Sequence, residues 1–278
     1  METTDTPDTA HPGIAGAAAP VGGERLIDVP GVRNLRDAGG FATAGGGRVR
    51  EGLLFRSASL GDLGPEGARR LAGLGLNTVV DLRSEPESAH WPDQRQGLAY
   101  TAVSLPTLPP FEDSGSGDPN AAADQADREL GPAEPGAADP GLRQMYLFMA
   151  EVAGAPIAAC LRRLLEPGAL PALVHCAVGK DRTGITVAVL LSALGVAEAD
   201  ITDDYLLSNL GLGLLGEPLH YLDENGVDRI SHPVHPDLLA LFLERTVGRH
   251  GSAESFLRQH GLTDTELQRL RELFVQPA

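Results

Sequence analysis

A cysteine and an arginine stand at the two ends of a short polar segment, Cys176 to Arg182 (CAVGKDR). A cysteine thiolate is a strong nucleophile, and the planar fork of a guanidinium can grip two oxygens of a phosphoryl group. Lys180, between them, adds a second positive charge. The pattern therefore predicts that Cys176 attacks a phosphate ester that this segment holds.

The segments on either side indicate how this loop would be placed. Residues 172–175 (ALVH) predict a buried strand, and residues 183–194 predict an apolar helix that ends at Gly195. Ligands of open α/β sheets bind at the carboxyl ends of strands, and the amino end of a helix presents free N–H groups to anions. Because Gly179 permits a tight turn, the N–H groups of residues 177–182 can point inward as a nest for phosphate. The helix dipole and the basic side chains would stabilise a thiolate there.

Residues 175–184 (HCAVGKDRTG) resemble the Cys-x5-Arg loop of protein tyrosine phosphatases. The likeness is greatest to the bacterial branch with the HCxxGKDRTG loop, whose members have tyrosine, serine or phosphoinositide specificity of the dual or triple type. Four other segments look like landmarks of that family, namely 34–40 (NLRDAGG), 54–60 (LFRSASL), 79–84 (VVDLRS) and 204–210 (DYLLSNL). The resemblance thus extends from about Ile27 to the carboxyl terminus, apart from an acidic segment near residues 107–141.

The resemblance implies a role for each residue of the loop. Cys176 would form a phosphocysteine, and Arg182 would bind the phosphate and stabilise the transition state. His175 would orient the loop. Thr183 would donate a hydrogen bond to the leaving thiolate. The phosphate-binding residues would be Ala177, Val178, Gly179, Lys180 and Thr183, and the lysine is similar to one found in members that accept phosphoinositides. No cofactor or metal is implied, and the partner would be a phosphorylated protein or a phosphoinositide.

A proton donor is needed when the leaving group is poor. We assign this catalytic role to Asp181, with a structural or substrate-selecting role as the alternative. Asp93 lies in a Trp-Pro-Asp tripeptide like the acid loop of some tyrosine phosphatases, but its distance along the chain from the nucleophile strand favours coincidence. Glu112 and Asp113 are further candidates, because related members carry an acidic residue after the equivalent strand.

Three other residues could bear on the site. Asp81 and Arg83 end a predicted strand beside the nucleophile strand, and we interpret them as an ion pair that braces the loop, with direct substrate contact as the alternative. Cys160 lies on an apolar helical stretch and is predicted to be a core residue. Its alternative role is that of a redox partner for Cys176.

Strands that alternate with helices predict an α/β fold with a largely parallel central sheet flanked by helices and a helical C-terminal third. The predicted strands are 53–56, 77–82, 98–105 and 172–175. The predicted helices include 65–74, 142–166 with a break near Gly154 and Pro156, 183–194, and a last helix that opens with a capping box of Thr263 and Glu266.

The chain is predicted to form a single phosphatase domain over residues 25–278, preceded by a disordered arm over residues 1–24. An acidic, Pro/Gly-rich insertion interrupts the domain at about residues 107–141. A loop of this length is uncommon inside a compact domain, so it is either a solvated insertion or a mobile lid.

The composition excludes several classes of function. The formal net charge of −16 argues against binding to nucleic acid or to an anionic membrane surface. Two cysteines are too few for a disulfide framework, and no stretch approaches the roughly 20 apolar residues of a membrane span. We therefore expect a cytoplasmic enzyme without a stable membrane anchor. Its alternatives are a phosphoinositide phosphatase and a catalytically silent phosphate-binding module.

Overall fold

The computed structural model describes residues 23–108, 140–216, 219–222 and 228–278. Its strands in those ranges are β1 (Arg36–Asp37), β2 (Arg48–Val49), β3 (Leu54–Ser57), β4 (Thr78–Asp81), β5 (Thr101–Ser104), β6 (Ala172–His175), β7 (Leu219–Leu222), β8 (Asp228–Ser231) and β9 (Val275–Gln276). Five of them form the central sheet in the order β1-β3-β6-β4-β5. Only β1 of these five runs antiparallel to its neighbour, so the predicted parallel sheet is confirmed.

Strand β6 lies at the centre of the sheet, between β3 and β4. All four of its residues are buried, as its run of apolar residues predicts for a strand covered on both faces. The register aligns His175 with Ser57 of β3 and with Asp81 of β4. The carboxyl ends of three parallel strands therefore meet at one edge, and the loop after β6 emerges between the segments that follow the other two.

The helices are α1 (Pro65–Ala72), α2 (Glu85–His90), α3 (Pro140–Val152), α4 (Gly154–Leu164), α5 (Arg182–Ala193), α6 (Glu198–Gly211), α7 (Pro236–Leu243), α8 (Ala253–Gln259) and α9 (Asp264–Phe274). A π-helical turn at Glu244–Gly248 extends α7, and a 3-10 turn covers Gly23–Arg25. The C-terminal third is helical as predicted, and the capping box of Thr263 and Glu266 opens α9.

Two apolar clusters cover the two faces of the sheet, because successive side chains of a strand point to opposite sides. Leu173 of β6 packs into the smaller cluster, which includes Leu71 of α1. Its neighbours Ala172 and Val174 pack into the larger cluster, which α5 and the C-terminal helices share. The loop after β6 is therefore supported from both layers.

The predicted break in the long helix is confirmed, since α3 and α4 meet at a bend of 66°. Gly154 starts α4 where a Cβ atom would lie 2.3 Å from Nε2 of His260, so a larger residue there would require the imidazole to move. No single helix in the described residues is long and apolar enough to cross a membrane. Only α3 and α4 counted together reach that length and composition.

Several sequence predictions fall outside the described residues. These are residues 1–22 of the arm predicted over residues 1–24, and most of the acidic insertion, residues 109–139, with its proposed role as a lid. Glu112 and Asp113, two of the candidates for the acid, belong to the same segment.

Candidate active site

The loop from Cys176 to Arg182 connects β6 to the first residue of α5. Two backbone hydrogen bonds hold its start. The N–H of Leu82 donates to the carbonyl of His175 at 2.8 Å, and the N–H of Ser59 donates to the carbonyl of Ala177 at 3.0 Å. The loop is thus fixed between the segments that follow β3 and β4, and Cys176 is only 1% exposed.

Gly179 makes the tight turn on which the loop depends. Its φ is +71°, and a Cβ atom built on it would lie 2.1 Å from the carbonyl oxygen of Ser57. Its own carbonyl accepts hydrogen bonds from Nδ2 of Asn34 at 3.0 Å and from Nη2 of Arg56 at 2.8 Å. The backbone of β3 therefore approaches the loop so closely that only glycine fits.

A buried carboxylate, Asp204 of α6, holds the two arginines behind the loop. Its oxygens lie 2.9 Å from Nε of Arg36 and 2.7 Å from Nη1 of Arg56. Burial alone would raise the pKa of Asp204, but the two guanidiniums outweigh it and hold the pKa below its ordinary value. Burial, with Arg56 beside it, lowers the pKa of Arg36 to about 10. Several family-like segments thus act together to support Gly179, through their residues at 34–36, 56 and 204.

Arg182 at the end of the loop forms a two-point ion pair with Glu87. Its Nη1 donates to Oε2 at 2.6 Å and its Nη2 donates to Oε1 at 2.7 Å. Burial opposes ionisation of Glu87, but its hydrogen bonds and its attraction to Arg182, together with bonds from Ser84, lower the pKa to about 2. Ser84 and Glu87 form the capping box of α2, so the start of that helix places the carboxylate beside the loop.

The predicted ion pair of Asp81 and Arg83 is confirmed, with Nη2 and Oδ2 2.7 Å apart. The same guanidinium reaches Asp93 at 3.0 Å. Asp93 also lies 3.0 Å from Nε2 of His175 and accepts the N–H of Leu60 at 2.9 Å. Burial would raise the pKa of Asp93, but His175 and Arg83 lower it. This carboxylate is thus held as a brace, which supports the interpretation of its tripeptide as a coincidence.

Oxygen and nitrogen ligands of Asp81, Asp93 and His175 lie within 4.8 Å of one another and could formally enclose a cation. The guanidinium of Arg83 already supplies the positive charge that these carboxylates need, because it contacts both of them. We therefore interpret the cluster as a brace for the loop.

Asp181 is held from two sides. Nζ of Lys180 lies 3.2 Å from its Oδ2, and the hydroxyl of Tyr146 in α3 donates to its Oδ1 at 2.9 Å. The hydroxyl of Tyr205 in α6 lies 2.7 Å from that of Tyr146. Burial raises the pKa of both phenols, that of Tyr146 well above its ordinary value. Gly184 leaves room for Tyr205, since a Cβ there would lie 3.0 Å from its ring.

The remaining predicted residues fall in two places. Ala177, Val178 and Thr183 belong to the loop and its helix start, and the hydroxyl of Thr183 is buried without a hydrogen-bond partner among the described residues. Cys160 lies in the core of α4, as predicted, and burial raises its pKa to about 12. Sequence reasoning missed Glu87, Tyr146 and Tyr205. The Ser-x-x-Glu signature at 84–87 was the signal that could have indicated a helix start near Glu87.

A cysteine and an arginine at the two ends of one loop, at the carboxyl edge of a parallel sheet, are the arrangement typical of a cysteine-dependent phosphatase. Residues 27–276 match the sequence model of the tyrosine phosphatase family, and the chain belongs to that family. It is a phosphoric monoester hydrolase of the protein tyrosine phosphatase type.

Three relatives show how the likeness is distributed. The chain is 29% identical over 276 residues to the triple specificity protein phosphatase PtpB of Mycobacterium tuberculosis, covering 89% of this chain and 98% of that protein. It is 36% identical over 203 residues, 70% of this chain and 67% of the other, to a Cupriavidus necator protein named provisionally as a tyrosine-protein phosphatase. A tyrosine-protein phosphatase of Nostoc commune is 26% identical over 78% of this chain and 72% of its own length.

Among solved structures, TpbA of P. aeruginosa matches 84% of this chain and 96% of its own, with 19% identity and a TM-score of 0.34.

Proposed function

We propose that this phosphatase hydrolyses phosphotyrosine in proteins through a phosphocysteine intermediate on Cys176. The observation that carries the proposal is the placement of Cys176 and Arg182 at the two ends of one loop. The turn at Gly179 is fixed by the approach of β3, and the guanidinium at the far end is oriented by Glu87. Both groups are therefore held in place before any substrate binds.

In the first step, the thiolate of Cys176 attacks phosphorus and the bond from phosphorus to the leaving oxygen breaks. Asp181 gives its proton to that oxygen, so the alcohol leaves neutral. Arg182 and the N–H groups of the loop bind the three equatorial oxygens. In the second step, water attacks the phosphocysteine and loses a proton to Asp181. The thiolate of Cys176 leaves and accepts a hydrogen bond from Thr183.

Two features favour phosphotyrosine over other phosphate esters. The buried position of Cys176 favours an ester whose phosphate stands away from the peptide backbone, as in tyrosine, over the shorter serine. Lys180, which would favour phosphoinositides, has only 5% of its side chain exposed and lies against Asp181. The triple specificity of PtpB is a property of that relative. A panel of phosphotyrosine and phosphoserine peptides and phosphoinositides tests which ester this chain prefers.

The central experiment compares the two cysteines. Cys176→Ser should abolish hydrolysis of aryl phosphates yet still bind phosphotyrosine peptide, because the nest and Arg182 remain. Cys160→Ala is the matched control, since this thiol lies in the core, and it should keep its activity. A burst of phenol release by the wild-type enzyme would separate turnover from silent phosphate binding. Turnover by Cys176→Ser within about tenfold of wild type would contradict the covalent mechanism.

Cation independence is a second test. Arg182 and the nest supply the charge that a metal would otherwise provide, so EDTA should leave activity intact and vanadate should compete with substrate. Loss of activity on chelation, restored by a divalent cation, would contradict the proposal. We also propose a reducing, cytoplasmic setting, because an oxidised Cys176 could not attack phosphorus.

A further inference from the structure

Three helices meet in one chain of hydrogen bonds that ends at the active-site loop. Tyr205 of α6 contacts Tyr146 of α3 through their hydroxyls at 2.7 Å, and Tyr146 contacts Asp181 at the start of α5 at 2.9 Å. Tyr146 is 0% exposed and Tyr205 is 1% exposed. Two buried phenols therefore form a hydrogen-bond chain that ends at the carboxyl group of Asp181.

The direction of these hydrogen bonds follows from the number of protons. Each hydroxyl has one proton, and Tyr146 uses its proton to donate to Oδ1 of Asp181. Tyr205 must then donate to the oxygen of Tyr146. Because burial raises the pKa of both phenols, neither loses its proton in the working pH range. The chain is a fixed series of donors that ends on one oxygen of Asp181.

The two donors to Asp181 differ in their freedom to move. Lys180 belongs to the loop itself, and its ammonium lies 3.3 Å from Oδ1 and 3.2 Å from Oδ2 of Asp181. Tyr146 belongs to a helix packed in the core, and Tyr205 holds its hydroxyl from behind. The phenol contacts only Oδ1, so Oδ2 has no partner besides Lys180 among the described residues and is the oxygen nearer to an exchange of a proton with the substrate.

The other carboxylates beside the loop are each bound by an arginine in the described structure. Glu87 pairs with Arg182, and Asp81 and Asp93 pair with Arg83. Asp181 instead has a lysine and a neutral phenol as partners. Among these carboxyl groups, Asp181 is therefore the one that no arginine binds in the described residues.

We propose that Tyr146 is a positioning residue for the phosphatase reaction, which holds Oδ1 of Asp181 so that Oδ2 exchanges the proton with the leaving oxygen. The inference rests on the proposed function, since it requires Asp181 to act as acid in the Cys176 mechanism. Tyr205 supports Tyr146 from the second position of the chain.

The test is Tyr146→Phe, measured on two esters. Phenyl phosphate has a leaving phenol with a pKa of about 10 and needs a proton, whereas p-nitrophenyl phosphate has a much weaker need. We expect kcat on phenyl phosphate to fall roughly tenfold or more, with a smaller loss on the nitrophenyl ester and little change in KM. Tyr205→Phe should show the same bias with a smaller loss. It also serves as the second variant if Tyr146→Phe does not fold.

A double variant separates positioning from a general effect on the fold. If Tyr146 acts through Asp181, adding Tyr146→Phe to Asp181→Asn should cost little further activity on phenyl phosphate. Tyr100→Phe, a buried tyrosine in the opposite apolar cluster, is the control for loss of a phenol hydroxyl. Equal losses on both esters, no loss, or full additivity with Asp181→Asn would overturn the inference. These results do not concern the role of Cys176, which the Cys176→Ser experiment tests separately. The proposed function can therefore hold even if this inference fails.

Discussion

The guanidinium of Arg182 meets the carboxylate of Glu87 edge to edge, with nitrogen–oxygen distances of 2.6 and 2.7 Å. A guanidinium has five N–H donors, and this pair uses two of them. Three donors remain for a phosphoryl group. In the proposed mechanism, Glu87 therefore orients Arg182 and leaves these three donors for the phosphate.

Glu87→Gln should weaken phosphate binding and turnover. The amide keeps one acceptor but turns an NH2 group toward the guanidinium, so the two-point pair is lost and Arg182 gains other rotamers. We expect kcat/KM on phenyl phosphate to fall by about ten- to a hundredfold and vanadate affinity to fall with it. The control is Glu85→Gln, an exposed residue in the same helical turn. Tighter vanadate binding by Glu87→Gln would show that the carboxylate competes with phosphate.

The same pair predicts a dependence of stability on pH. The pKa of Glu87 is about 2 in the folded chain and 4.5 as its ordinary value. A carboxyl group whose pKa is lower in the folded chain than in the unfolded chain stabilises the fold. This stabilisation is complete at pH values above the unfolded pKa, and it is lost as the pH falls through the folded pKa. The difference in unfolding free energy between wild type and Glu87→Gln should therefore shrink between pH 4.5 and about 2. Urea unfolding across that window measures it, and a constant difference would contradict the assignment.

Gly179→Ala should destroy the active site while Gly213→Ala should not. Both glycines have nearly the same left-handed φ, +71° and +70°, but only at Gly179 does a Cβ meet neighbouring backbone. Alanine at Gly213 should cost only about 1 kcal/mol of backbone strain. At Gly179 the loop must also move away from β3, so kcat/KM and vanadate binding should fall by at least about a hundredfold. Similar activity in the two variants would show that the loop tolerates displacement.

Asp204→Asn should destabilise the whole fold. The carboxylate is the buried counter-charge of Arg36 and Arg56, and removal of one partner from a buried ion pair costs about 3–5 kcal/mol. Its neighbour Asp203 is exposed, so Asp203→Asn controls for the change of residue type. Denaturant unfolding of both variants gives the difference. A cost below about 1 kcal/mol for Asp204→Asn would mean that the two arginines find other partners.

The elements that carry the loop were predictable from the sequence. Residues 172–175 form β6 as predicted, and the helix after the loop is shifted by only one residue. The sequence also located the turn at Gly179 and the pair of Asp81 and Arg83. These features are local, because strand pattern, helix start and turn chemistry depend on neighbours in the chain.

The contacts between the loop and distant side chains were not predictable in this way. Glu87 carried a helix-start signal, but nothing in the sequence says that its carboxylate faces an arginine 95 residues away. Tyr146 and Tyr205 read as core aromatics, and only the packing of α3 against α6 shows that their hydroxyls lead to Asp181. The contacts of Asp93 were not predictable either, since only the structure places it between Arg83 and His175.

The supports of the loop come from distant parts of the chain. Asn34 lies 145 residues from Gly179, and Arg36 lies 168 residues from Asp204. Folding is slow when contacts join distant segments, because the entropy of closing large loops is lost before the contacts form. Refolding chains should therefore regain helical circular dichroism before they regain turnover. A ribosome-bound chain that stops short of α6 would lack Asp204 and should be inactive. The appearance of phosphatase activity would therefore mark the last stage of folding.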